Sequence, residues 1–482
     1  MKSLQKTVIL LPLLAIGLKL NAQDNFITNF IKAPFLKHGS VSLAVVDAGT
    51  GEQVVAANPE KSLVPASVAK LITSSVALEL LGPDYTFRTI AGYSGKIDGK
   101  KGTLEGNIII RGGGDPALGS EHFRDHYGEF IDKWIADIQR LGIKRIEGRV
   151  IVDDSYYDYQ PVPGKWLWED AGNYYGAGAF GLSIFDNTYR IYFNTGSADG
   201  SVRLIRTEPE GYGKTLVNRL KAEGQNDLGY VFAVPYSSGG WIEGTIPAGK
   251  EVFILKASIP DPPKLLAEIV HTKLTSAGIK ISGEPSTTRI LPDDSLKEMV
   301  TVSETVSPPL KDIIRVLNHE SINLYAEHLL KETGKVTEGE GTTSAGIKSI
   351  GSFLKSAGLD TEGLFLADGS GLSPLNGVSA ELLTELLVYM KNKSKCFSEF
   401  YSSLPDAGQD GTLKNYFRDE IFINNLKAKT GSMTRVRSFA GYFTASSGRE
   451  MAFSVLVNNF SGPSKEVISS IENLIKEIML QY

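Results

Sequence analysis

Two short apolar-polar alternations open the folded part of the chain. Between residues 40 and 58, "SLAVVDA" and "EQVVAA" alternate at the two-residue period of strands, and Gly49 to Gly51 supply a turn between them, so a hairpin is predicted. The next stretch, "SLVPASVAKLITSSVALELLG" (residues 62–82), changes period. Val68, Leu71, Ile72, Val76 and Leu80 recur at helical spacing and predict a helix with one apolar face, ended by Gly82-Pro83.

From about residue 90 to about 295 the pattern is short and β-like. Strands such as "GTLEGNIIIRGG" and "RIEGRVIVDDS" are separated by Gly-, Pro- and aromatic-rich loops such as "YQPVPGKWLWEDAGNYYGAGAFG". A further small β module is expected within it at about 192–256. From "VSPPLKDIIRVLNHESINLYAEHLLKETG" onward the period turns helical, with helices predicted near 309–318, 322–333, 343–357 and 379–392. Three strands follow, "NNLKAKTGS", "RSFAGYFTA" and "EMAFSVLVNN", then a last helix from Pro463. The opening hairpin and the closing meander can share one antiparallel sheet covered by helices. The reading is therefore an α/β (α+β) fold: a body from 23–90 and 296–482, with a large, mostly β insertion at 91–295.

Composition sets limits on this picture. The chain has 482 residues, 42% hydrophobic and 22% charged, enough for a large core in more than one domain. "MKSLQKTVILLPLLAIGLKLNA" has a basic start and an apolar run too short to span a bilayer, the pattern of a secretory signal ending near Ala22. It holds three lysines and no acid, so its removal takes the net charge from −5 to −8. That balance argues against nucleic acid as a partner and against an electrostatic lipid anchor. No later apolar run is long enough to span a membrane. Cys396 is the single cysteine, so an exported chain would have no intrachain disulfide and no cysteine cluster for zinc. His122 and His126 lie four apart in "HFRDH", which lacks the H-E-x-x-H form, so no metal is expected.

Candidate chemistry starts in the second stretch. Pro65 suits the first helical position and places Ser67 in the first turn, where unpaired backbone N–H groups and the helix dipole favour a developing negative charge. Lys70, three residues on, can reach the Ser67 hydroxyl, and a neutral lysine can take its proton if burial or a cation depresses its pKa. Such an S-x-x-K pair is weak alone, because Ser352 and Lys355 form another. Two further pieces follow in order: Ser321-Ile322-Asn323 at a break between helices, and Lys429-Thr430-Gly431 on a strand. Gly431 lacks a side chain, so a peptide substrate could lie close beside that strand.

The order S-x-x-K, S-x-N, K-T-G is that of the penicillin-recognising serine enzymes, which include class A β-lactamases and penicillin-binding proteins. Ser67 and Ser321 are 254 positions apart, more than a compact β-lactamase accommodates. The chain resembles the low-molecular-mass class C penicillin-binding proteins, the D-alanyl-D-alanine carboxypeptidase/endopeptidases. The likeness runs through "VPASVAK", "IIIRGGGDPAL", "GRVIVDDSYY", "SPPLKDIIRVLNHESINLYAEHLLK", "LADGSGLS" and "AKTGS", and the long insertion is itself a feature of that family. The resemblance implies a β-lactamase/transpeptidase-like antiparallel sheet flanked by helices. It implies Ser67 as acylated nucleophile, Lys70 as general base and Ser321 as proton relay to the leaving amine. Asn323 would hold the substrate amide and Lys70. Lys429 and Thr430 would bind the terminal carboxylate, with Lys429 helping to keep Lys70 neutral. The N–H groups of Ser67 and Ser432 would form the oxyanion hole. An aspartate of the insertion would contact the stem-peptide side chain, matching best at Asp153, with Asp154 adjacent. Peptidoglycan stem peptides are the implied substrate, β-lactams the inhibitors, the periplasm the location, and no cofactor is required.

Three other motifs carry less. "RGGGDP" (Arg111 to Pro116) lacks a following Gly-Lys-Ser/Thr and reads as a turn. "DGSGLS" around Ser370 is not G-x-S-x-G and reads as a loop near the site. "EDAGN" (Glu169 to Asn173) has the spacing of a deacylating glutamate loop but precedes the S-x-N element, so it reads as an insertion loop. Two other functions stay open: a β-lactamase or esterase on the same scaffold, separated by the rate of penicillin turnover, and a non-catalytic murein-binding protein.

Overall fold

A computed structural model describes residues 26–482 apart from 197–199, 211, 214 and 292–297; the expected signal segment lies outside the described residues. The chain opens with the expected hairpin, β1 (Ser40–Asp47) and β2 (Gln53–Ala57). A single 3-10 turn, Ala66–Ala69, then leads into helix α1 (Lys70–Leu81), which Gly82 ends at φ 86°. This helix differs from the expected one-faced helix: every residue from Lys70 to Leu78 is buried. Its serines and threonine find local partners, Ser74 and Ser75 on the carbonyls of Leu71 and Ile72, and Thr73 on that of Gly369. A central helix can carry polar residues all round when each is satisfied this way.

The insertion begins with a long hairpin, β3 (Arg88–Asp98) and β4 (Thr103–Arg111), followed by helix α2 (Phe130–Gln139) and strands β5 (Arg145–Ile146) and β6 (Val150–Asp153). A loop through residues 154–187 leads to β7 (Thr188–Asn194), β8 (Arg203–Glu208), β9 (Leu216–Ala222), β10 (Leu228–Phe232), β11 (Gly240–Ile246) and β12 (Phe253–Ser258). These make two three-stranded sheets, β10-β11-β9 and β12-β7-β8, around a small core of Tyr189, Phe193, Val231, Ile242 and Leu255. Helix α3 (Pro262–Ser276) and strands β13 (Lys280–Ile281), β14 (Ser286–Thr287) and β15 (Met299–Val306) close the region. A mixed seven-stranded sheet runs β13-β5-β4-β3-β15, with β6 and β14 branching from β4. Its strands reach from Arg88 to Val306, starting three residues before the expected limit of 91 and ending eleven after that of 295, so that β15 lies wholly beyond it.

The chain then returns to the body through helices α4 (Leu310–Glu320), α5 (Asn323–Glu338), α6 (Thr343–Ser356) and α7 (Ala380–Asn392). Strands β16 (Leu426–Met433), β17 (Val436–Thr444) and β18 (Glu450–Asn458) and helix α8 (Ser464–Gln481) complete it. The five-stranded sheet is antiparallel throughout, in the order β16-β17-β18-β1-β2. First and last segments thus pair, as expected from their alternation. β18 is buried from Met451 to Asn458 because both faces are covered. Ala452 and Leu456 face α1 and α7, and Phe453, Val455 and Val457 face α8. Among the described residues no helix is long and apolar enough to cross a membrane.

Candidate active site

The nucleophile turn is placed by the sheet. At the end of β18, Asn458 accepts from the Val64 N–H at 2.8 Å and donates to the Val64 carbonyl at 3.0 Å. Ser438 of β17 donates to the Pro65 carbonyl. Ala66 is held at φ 49°, outside the usual range for a residue with a side chain, so the backbone enters Ser67 under strain that its surroundings must hold. Gly431 has a different reason from the expected one. A Cβ there would fall on Ser438 Oγ and 2.5 Å from the Pro65 carbonyl, so the strand presses on the chain's own nucleophile turn at that point.

Half-buried Ser67 and fully buried Lys70 face each other, Oγ to Nζ 2.9 Å. The amine has two further neighbours: Asn323 Oδ1 at 2.6 Å and the main-chain carbonyl of Ser370 at 2.7 Å. Burial lowers the Lys70 pKa from 10.5 to about 7, and the negative charges of Asp368 and Glu327 work against that fall. Burial is therefore the leading cause, where the sequence had suggested Lys429. Lys429 is itself fully buried and held well below the ordinary lysine range, by burial first and the charge of Lys70 second. Its Nζ donates to Ser321 Oγ at 2.8 Å and to the Thr430 carbonyl at 3.0 Å.

Ser321 caps α4 in the left-handed conformation, φ 59° and ψ 38°. That strained backbone turns its hydroxyl from the helix end toward Lys429. Asn323 begins α5, and its Nδ2 donates to the carbonyl of Tyr175 in the insertion at 2.8 Å, which fixes Oδ1 on Lys70. Thr430, Gly431 and Ser432 continue β16 beside this cluster, with Ser432 exposed. The structure thus brings together Ser67, Lys70, Ser321, Asn323 and Lys429, with Thr430 to Ser432 along the strand. Ser352 and Lys355 lie exposed on α6.

Asp153 and Asp154 differ. Asp153 ends β6 and is committed to Arg111 Nε at 2.8 Å and to Ser155 Oγ at 2.7 Å. Asp154 is 1% exposed; its Oδ1 accepts from Thr288 at 2.7 Å, while Oδ2 is buried with no partner. Burial raises its pKa.

The site also includes residues that the motifs did not identify. The "DGSGLS" loop supplies the Ser370 carbonyl. Asp368 anchors that loop, accepting from Gly371 N, Ser373 N, Asn376 Nδ2 and, across from the insertion, Trp166 Nε1 at 2.8 Å. Glu327 accepts from the loop amides of Gly369 and Ser370. In "EDAGN", Glu169 is exposed and Asn173 accepts from Val231 N, tying the loop to β10. A second cluster, Glu121, His122 and Asp186, has ligand atoms within 4.8 Å of one another. Its carboxylates are already engaged, Glu121 by Arg190 and Lys256, Asp186 by Ser120 and Tyr325. His126 does not join it; its Nε2 bonds the Val306 carbonyl.

Comparison with known proteins gives the family. The profile of the D-Ala-D-Ala carboxypeptidase 3 (S13) family matches residues 23–479. A D-alanyl-D-alanine carboxypeptidase of Actinomadura sp. (strain R39) is 30% identical over 469 residues, 93% of this chain and 83% of that one. The D-alanyl-D-alanine carboxypeptidase DacB of Haemophilus influenzae is 24% identical over 84% of this chain and 82% of its own. The crystal structure of penicillin binding protein 4 from Haemophilus influenzae has the same fold, with a TM-score of 0.81 at 22% identity over 94% of this chain and 99% of that one. It has also been solved in complex with a β-lactam (TM-score 0.76). The chain belongs to the D-Ala-D-Ala carboxypeptidase 3 (S13) family. It is an enzyme, a serine-type carboxypeptidase among the low-molecular-mass penicillin-binding proteins.

Proposed function

We propose that Ser67 is the nucleophile of this D-alanyl-D-alanine carboxypeptidase/endopeptidase and that its substrates are peptidoglycan stem peptides and cross-links. The observation that carries the assignment is a hydroxyl 2.9 Å from a buried amine whose pKa is about 7. Lys70 takes the Ser67 proton as Oγ bonds to the carbonyl carbon of a D-alanine. The oxyanion that forms is stabilised by the N–H groups of Ser67 and Ser432. Ser321, bridged to Lys429, passes a proton to the leaving amine as the C–N bond breaks, and the proton that Lys70 took from Ser67 replaces it, leaving Lys70 neutral again. An acyl-enzyme remains, and water attacks the ester and regenerates Ser67 and an acid. Lys429 and Thr430 hold the terminal carboxylate, and Asn323 the substrate amide. A β-lactam, with its own carboxylate and strained amide, enters by the same route, as the complex of the Haemophilus influenzae protein supports for a relative. Of the two insertion aspartates, Asp154 has the oxygen without a side-chain partner, and a cationic stem-peptide side chain would engage it only once that enclosed carboxyl, 1% exposed, is uncovered. Residues 1–22 as an export signal and the periplasm as the working compartment belong to the same reading. Fluorescent penicillin should label the wild-type protein and leave Ser67→Ala unlabelled, with D-alanine release from a pentapeptide lost in parallel. Full labelling of Ser67→Ala would sink the assignment.

A further inference from the structure

At the moment of attack Lys70 must turn a lone pair toward Ser67. A neutral amine has two N–H bonds and one lone pair. Two of the three neighbours of Nζ, Asn323 Oδ1 and the Ser370 carbonyl, can only accept hydrogen bonds. Each takes one N–H. The lone pair then faces the one neighbour that carries a proton, Ser67. The Ser370 carbonyl therefore aims the base as much as Asn323 does, and a main-chain carbonyl points where its loop holds it.

That loop is held mainly from α5. Glu327, fully buried and one helical turn after Asn323, accepts from Gly369 N at 3.1 and 3.2 Å and from Ser370 N at 2.8 Å. The four-residue spacing puts Asn323 and Glu327 on one side of the helix, so one helix face sets both acceptors of Lys70. Thr73 on α1 adds a bond to the Gly369 carbonyl at 2.6 Å. Close packing closes the alternatives: a Cβ on Gly371 would collide with the Ala66 carbonyl, and one on Gly369 would sit 2.8 Å from that of Ala326.

We propose that Glu327 is a positioning residue for acylation: by pinning the amides of Gly369 and Ser370 it fixes the Ser370 carbonyl, which turns the Lys70 lone pair onto Ser67. The proposal rests on the reading of Ser67 and Lys70 as nucleophile and base. Two main-chain donors, the N–H groups of Gly369 and Ser370, converge on the Glu327 carboxyl, a setting made for an acceptor. Burial first, and the charge of Asp368 second, push the Glu327 carboxyl up to about 8, so near neutral pH it holds the loop through its acceptor oxygen more than through charge.

The test is the rate of penicillin acylation as a function of concentration and pH, which separates the chemical step from initial binding. Glu327→Gln keeps the size but turns an NH2 toward amide donors. The maximal acylation rate is expected to fall about tenfold or more, since small misplacements of a catalytic group are costly. Half-saturation should stay put, and so should the acid limb, because Glu327 with a pKa of about 8 is mostly protonated where Lys70 titrates. Glu327→Asp, which keeps a carboxyl that can accept from these amides, should recover part of the rate. A wild-type maximal rate in Glu327→Gln overturns the proposal, and so does an Asp variant no better than Gln. If Glu327→Gln shows no cooperative thermal unfolding, Thr73→Val decides. It removes the other tether on Gly369, so a smaller fall in maximal rate is expected, and an unchanged rate overturns the proposal. Absent labelling of the wild type would instead break the underlying Ser67–Lys70 reading, so the two failures are distinguishable.

Discussion

The side-chain amide of Asn323 donates to the main-chain carbonyl of Tyr175 at 2.8 Å, joining the S-x-N element of the body to a loop of the insertion. With Nδ2 occupied there, Oδ1 is the atom left to face Lys70. Asn323→Asp removes the donor and adds a negative charge 2.6 Å from the amine. A nearby anion favours the ammonium form, so the pKa of Lys70 rises above its value of about 7. The acid limb of acylation should therefore move to higher pH. The rate at neutral pH should drop tenfold or more, about 1.4 kcal/mol for each factor of ten. Stopped-flow acylation across the pH range checks both.

In the wild-type enzyme the acylation rate should rise with pH through about 7 and level off, because Lys70 works only after losing its proton. Lys429→Ala separates two causes of that low value. Had the charge of Lys429 set it, the limb would climb in pH on removal of the cation. Since burial is the leading cause, the limb should stay where it is, while the KM for a carboxylate-bearing peptide rises. A limb displaced upward would restore Lys429 as the cause.

Ser321 combines a left-handed backbone with a hydroxyl on Lys429. Glycine adopts φ 59° without the steric penalty of a Cβ. Ser321→Gly should leave stability unchanged or raise it by up to about 1 kcal/mol. D-alanine release should fall about 10²–10³-fold, since a proton relay is removed. Thermal unfolding and the peptide assay on the same preparation check the pair of outcomes. A destabilised variant would mean that the serine hydroxyl supports the fold.

Much of the fold was legible because period carries it. The alternation of residues 40–58 and of the last three strands predicts a shared sheet, and β1 does pair with β18. The three motifs were legible as residue types in order. What the sequence hid are groups that act through the main chain or by burial. The carbonyls of Tyr175 and Ser370 carry no side-chain signature, so no motif search finds them. Glu327 sits in a helical run where a lone glutamate ordinarily reads as solvated, and only the structure shows it buried against amides. The depression of Lys70 likewise depends on how completely α1 is enclosed, which one apolar face underestimates.

The pair Asp153–Asp154 shows where likeness of residue type stops deciding. Sequence matched the substrate-contacting aspartate best at the first. In the structure that carboxylate is already paired with Arg111, while the second keeps a buried oxygen without a partner. An unpaired buried carboxylate oxygen is costly, and a cation arriving with the substrate would relieve the cost. Asp154→Asn should therefore lower kcat/KM about ten- to hundredfold for stem peptides whose diamino acid carries a free ammonium group, the range expected for one charged hydrogen bond. Acylation by benzylpenicillin, which has no such group, should stay near wild type. Asp153→Asn should break the Arg111 pair and lower the unfolding temperature, with a smaller effect on peptide kinetics. Comparing the two variants on a diaminopimelate peptide and on its acetylated form settles the choice: a selective loss in Asp153→Asn, absent from Asp154→Asn, would return the role to the first aspartate.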